Sequence, residues 1–203
     1  MRRELVPFEV AAVIAAAIVA AADVLGQIPA ILPLLVVAST ARWIAGKSFA
    51  AVTRGRFVAV GFACGLVALV LALLIGTPVA EALSDRAVVW AAYPLVRGNP
   101  GAFLAFGTVV AAVAIATELV LRGWLVERVL ELGGSPVMAV FAGAFAEAAL
   151  TPGPLEARLG AFVVGVALGQ MYVAAGRNVA VTAAARVAFG LGALVLEMLQ
   201  VTA

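Results

Sequence analysis

Residues 101–132 read GAFLAFGTVVAAVAIATELVLRGWLVERVLEL. No side chain from Gly101 through Thr117 is ionisable, and no proline interrupts the run. A helix crosses the hydrocarbon core with about 20 apolar residues at 1.5 Å rise each. Counted on to Leu125, or to Leu132, the stretch is longer than that, so it predicts a membrane-spanning helix that outlasts the bilayer. Gly133-Gly134-Ser135-Pro136 then reads as a stop and a restart.

The rest of the chain has the same character. Of its 203 residues 66% are apolar and 12% charged, with 20 glycines besides. Soluble domains carry about 25% charged residues. A globule of this size cannot hide so much apolar surface, so the excess must face lipid. The expected fold is all-α, a multi-pass transmembrane helix bundle of about seven spans. Their expected positions are 8–25, 28–43, 57–75, 101–125 (extending toward 132), 136–150, 160–175 and 179–201. The first is too long for a signal-peptide core and reads as a retained helix. Residues 77–100, where Glu81, Asp85, Arg86 and Arg97 interrupt the apolar pattern, read as a short interfacial helix and loop. Two parts follow: 1–100, N-terminal transmembrane helices with the interfacial segment, and 101–203, a helical core.

Seven spans with the N-terminus inside place Arg2, Arg3, Arg42, Lys47, Arg54, Arg56, Arg128 and Arg177 on the cytoplasmic side. Arg86, Arg97 and Arg158 fall outside. Eight against three is the bias of the positive-inside rule.

Absences narrow the chemistry. The chain has no histidine, which removes Ser-His-Asp and Cys-His nucleophile systems, H-E-x-x-H zinc sites and axial-His haem. Its one cysteine, Cys64, excludes an internal disulfide or a cysteine cluster. Inside the spans only carboxylates are left as metal ligands, beside competing arginines, so no metal and no cofactor is expected. A formal charge of +2 gives no reason to expect nucleic acid as a partner. The lipid bilayer is the expected partner.

Ala45-Gly46-Lys47-Ser48 has the end of a phosphate-binding loop, but Ala41 stands where that loop needs its first glycine. It reads as a basic cytoplasmic loop. Gly61-x-x-x-Gly65 and Gly165-x-x-x-Gly169 clear one stripe of their helices for close packing, within the bundle or between copies. Asp23 and Glu197 lie near span ends, where they are expected to reach interfacial water.

Charges within spans are functional-site candidates because burying them in lipid costs several kcal/mol. Glu118 and Arg122 are four apart on one helix face, with the acid first, the favourable order. Glu147 lies in the next span and Arg186 in the last. Two readings stand for these charges: interhelical ion pairs that orient the helices, or an acid–base or ion site.

Thr117-Glu118-Leu119-Val120-Leu121-Arg122-Gly123-Trp124-Leu125 resembles the first motif, E-E-x-x-x-R, of the CPBP family. These are the CAAX-protease and bacteriocin-processing intramembrane endopeptidases, or type II CAAX proteases. The later order is similar too: a Gly/Pro break, a short helix with Phe141 and Phe145, and a Pro/Gly turn. Then come Phe162-x-x-Gly165-x-x-x-Gly169-x-x-Tyr172 and Gly176-Arg177-Asn178 before a last helix. The likeness covers residues 103–196, and it implies a CPBP-like core in 101–203 and a bacterial or archaeal plasma membrane.

The resemblance implies a water-activating first Glu, a His in F-x-x-x-H and a third motif H-x-x-x-N/H. Here Thr117 stands at the first Glu position. The second-motif His falls on Ala149 or Phe145, and the third-motif His on Ala185 or Arg186. The Asn falls on Phe189 or Gly190, and only Glu118 and Arg122 are kept. Amide hydrolysis without a covalent step needs a base for water and donors for the oxyanion. Thr117 cannot be that base near neutral pH. Glu118 points about 100° away from position 117 and has a cation beside it, which weakens it as a base.

Three functions follow as expectations. The first is a CPBP-fold protein without peptidase activity that binds or scaffolds another membrane protein or peptide. The second is an active endopeptidase with an altered site on the retained catalytic-motif positions Glu118 and Arg122, with Glu147. The third is a small transporter or channel lined by Glu118, Arg122, Glu147 and Arg186. Under the first, Thr117, Glu147 and Arg186 form a polar cluster with the retained pair. Arg186, about seven residues and roughly 10 Å into its helix, is expected to face Glu118 from a former His position.

Overall fold

A computed structural model describes residues 31–49, 57–85 and 93–199, and among them all regular structure is helical. Four helices are long and apolar enough to cross a membrane: Val58–Ala82, Pro100–Glu131, Leu155–Ala174 and Val179–Met198. Two shorter apolar helices are Ile31–Ile44 and Pro136–Leu150. In lipid a backbone must satisfy its own hydrogen bonds, and a helix does so within one segment. The chain is an all-α integral membrane protein. The expected span 8–25 lies outside the described residues, as do Arg2, Arg3, Asp23, Arg54, Arg56 and Arg86.

In chain order the helices are α1 (Ile31–Ile44), α2 (Val58–Leu71), α3 (Thr77–Ser84), α4 (Pro100–Val120), α5 (Glu127–Glu131), α6 (Pro136–Leu150), α7 (Leu155–Ala174) and α8 (Val179–Met198). A π turn, Ala72–Gly76, joins α2 to α3, and another, Leu121–Val126, joins α4 to α5. Residues 77–84 are therefore not a separate interfacial helix; they prolong the third expected span. The wide turn makes this possible. Proline lacks the N–H of a regular helical register, and the π turn ends just before Pro78 while Thr77 Oγ1 donates to Ala72 O at 3.0 Å.

The restart at α6 has a local cause. Gly133 has φ +88°, Ser135 Oγ accepts from the Met138 N–H at 3.2 Å, and Pro136 opens the first turn. α7 begins at Leu155, five residues before the expected start, because Pro154 already occupies the N-cap.

The chain divides into two compact units. Among the described residues, one comprises 31–49 and 116–179, and its core is α6 against α7. Gly165 meets Ala144, and Gly169 meets Val140; a Cβ on either glycine would lie within 3 Å of those neighbours. The other comprises 57–85, 93–115 and 180–199. There Gly61 and Gly65 lie against the backbone carbonyls of Val181 and Ala185 on α8. Both glycine stripes pack inside their own unit, the closer of the two expected uses.

Glu197 departs from expectation. It is 2% exposed rather than in interfacial water, its Oε2 accepting the Tyr93 N–H at 3.0 Å. Residues 93–99 fold back over the end of α8, with the Gly98 N–H donating to Met198 O at 3.1 Å.

Candidate functional site

Arg122 is the centre of the first unit's polar interior. It lies in the π turn after α4, with Glu118 one turn earlier on α4 and Glu147 near the end of α6. Nη1 is 3.2 Å from Glu118 Oε1 and Nη2 is 2.8 Å from Glu147 Oε2. Nη2 also donates to the Gly165 carbonyl of α7 at 2.9 Å. One guanidinium thus ties three helices. Arg suits this because its planar fork serves several acceptors at once and stays charged when buried.

Gly165 has two parts in the arrangement. It lets α7 approach Ala144 closely, and a Cβ there would stand 3.1 Å from Glu147 Oε2. Glu118 and Arg122 have 0% accessible surface and Glu147 only 5%. Thr117, beside Glu118, is half-buried. Phe145 and Ala149, the two positions onto which the second-motif His falls, are exposed, whereas the α6 residue that joins the cluster is Glu147. Arg186, half-buried on α8, belongs to the other unit.

A second cluster sits at the other end of α7. Glu127 is 4% exposed; its Oε1 accepts from Tyr172 Oη and from Arg177 Nε, each at 2.6 Å, and its Oε2 pairs with Arg177 Nη2. Gly176 and Arg177 both take positive φ, 68° and 64°, which turns the chain so that Arg177 closes over Glu127. The hydrogen bond to Glu127 holds the Arg177 guanidinium above its ordinary pKa. Glu127 is the residue that sequence reasoning missed. Its helix end looks like ordinary charged surface, and the only signal was Tyr172 and Arg177, five apart at the end of one span.

A third group lies where α1 ends. Arg42 is 6% exposed, donating from Nη1 to the Gly123 carbonyl of the π turn at 2.8 Å and from Nη2 to Ser48 O at 3.0 Å. Lys47 pairs with Glu131. Among the described residues no three His, Cys, Asp or Glu side chains come together as a metal site would need.

Residues 97–191 match the family model described as type II CAAX prenyl endopeptidase Rce1-like. The matched segment, a little under half of the chain, is similar to that family, which is part of the CPBP group. No curated protein and no solved structure matches the chain. The matched segment contains the whole Glu118–Arg122–Glu147 cluster and the whole Glu127–Tyr172–Arg177 cluster. Arg42 and Lys47 lie before it.

Proposed function

We propose that this chain is a CPBP-family membrane protein that keeps the Glu118–Arg122 pair as a tie between helices, has lost peptide hydrolysis, and binds another membrane protein or peptide. The observation behind this reading is the state of Glu118. Its carboxylate has no accessible surface and is paired with a guanidinium that has none either. A general base must touch the water it deprotonates, and an adjacent cation makes a carboxylate a poorer base. Thr117, Phe145 or Ala149, Ala185 or Arg186, and Phe189 or Gly190 occupy the remaining positions where the family places its acid, base and oxyanion groups, and the chain has no histidine. Arg122 directs its Nη donors to Glu118, Glu147 and the Gly165 carbonyl rather than to a reacting carbonyl.

The test uses the purified full chain in lipid nanodiscs and a fluorescent prenylated CAAX peptide, the substrate class that the family's description names. The expected result is saturable binding by anisotropy with no cleavage above that of Glu118→Gln. Cleavage that Glu118→Gln abolishes would overturn the proposal in favour of an altered Glu-based endopeptidase.

A further inference from the structure

Three cations and one carboxylate meet where the end of α1 lies beside α5. Arg42, Lys47, Trp124, Arg128 and Glu131, with Ala41 and Ala45, line a cleft of about 10 Å³. That is room for roughly one water-sized group. Glu131 Oε1 pairs with Lys47 and Oε2 lies 3.4 Å from Arg128 Nη1. The lining itself thus carries three cations and one carboxylate. The cations also face the C-terminal ends of α1 and α5, where the helix dipole is negative.

Arg42 supplies a donor that those ends do not occupy. More than nine-tenths of the residue is buried, and both terminal nitrogens are committed to carbonyls. Its Nε–H is buried with no acceptor among the described residues. Buried donors are almost always paired, so an acceptor is called for here. A donor that belongs to a charged guanidinium, in a lining that also holds Lys47 and Arg128, makes an anionic oxygen the favoured one.

The backbone explains how Lys47 reaches the place. Gly46 takes φ +69°, and the Lys47 N–H returns to Arg42 O at 2.8 Å. Lys47 therefore folds back over a helix C-terminus, unlike the lysine of a phosphate-binding loop, which opens a helix. Trp43, the next residue after Arg42, is 79% exposed. Tryptophan concentrates at the membrane–water boundary, which puts the cleft at headgroup level.

We propose that this cleft seats one oxygen of a phosphate group, either the phosphodiester of an anionic phospholipid or a free phosphate, between Arg42, Lys47 and Arg128. The small volume accepts one oxygen and leaves the rest of the ligand at the mouth, where Lys47 is partly exposed. Basic recesses between spans on the cytoplasmic side are suited to such headgroups. Glu131 competes for the same cations, so its removal strengthens the site.

The experiment measures thermal unfolding of the full chain in a neutral detergent, titrated separately with phosphatidylglycerol, phosphatidylcholine and inorganic phosphate. A saturable rise with phosphatidylglycerol alone supports the lipid source, and a rise with inorganic phosphate as well supports the free anion. In either case Lys47→Gln should weaken apparent binding roughly tenfold, and Glu131→Gln should tighten it. If Lys47→Gln does not fold, Glu131→Gln decides by itself, because a purely structural ion pair gives no gain on removal. No saturable shift with either anion, equal shifts with phosphatidylcholine, or Glu131→Gln without tighter binding would overturn the proposal.

Discussion

Arg122 Nη2 and Glu147 Oε2 are 2.8 Å apart, joining the π turn after α4 to α6 across 25 residues of sequence. Nη1 of the same guanidinium reaches Glu118 at 3.2 Å. Breaking a buried pair from one side leaves an uncompensated charge, whereas removing all the charges does not.

Arg122→Met should therefore destabilise the protein by about 3–5 kcal/mol, read as unfolding in detergent. Adding Glu118→Gln and Glu147→Gln to it should recover a large part of that loss. Equal stability of the single and triple variants would show that the guanidinium does not hold the two carboxylates.

The glycines separate by what surrounds them. Gly65→Ala drives a methyl into the Ala185 backbone, which cannot yield, and should prevent stable folding of its unit. Gly160→Ala, on α7 with open space around it, should be neutral or stabilise by up to about 1 kcal/mol through helix propensity. Thermal unfolding of both variants in one detergent checks the contrast.

Tyr172→Phe removes only the hydroxyl that donates to Glu127 at 2.6 Å. Hydrogen bonds to a charged partner contribute about 1.5–3 kcal/mol, so a loss of that size is expected. In the Arg177→Met background the hydroxyl becomes a larger share of what holds the Glu127 carboxylate. The two changes should then cost more together than their sum, in a double-mutant cycle read by thermal unfolding.

Lys47 contacts Glu131 at the end of α5, and α6 then runs 15 residues away from that end before α7 starts at Leu155. At 1.5 Å per residue, Lys47 and Leu155 are separated by about 22 Å along the helices. With Cys64 replaced by Ser, single cysteines at positions 47 and 155 should label from opposite faces, position 47 from the cytoplasmic face. Labelling of both from one side would refute the seven-span topology with its N-terminus inside.

The sequence determined that the chain is helical and membrane-embedded, and nearly where several helices begin and end. Continuous apolar runs in lipid have few backbone solutions, and Gly133, Ser135, Pro136 and Pro154 mark breaks by local chemistry. The Glu118–Arg122 pair was legible for the same reason, since four residues along a helix is a local distance. Tertiary structure decided what those charges meet. Nothing in the spacing says that Arg122 takes Glu147 and the Gly165 carbonyl, that Glu127 is closed over by Arg177, or that Glu197 is buried under residues 93–99. In water a helix reveals its inward face by polar residues on the outer one. These helices are apolar on every side, so their rotation and neighbours are set by close packing of small residues and by buried hydrogen bonds, which exist only once the helices are together.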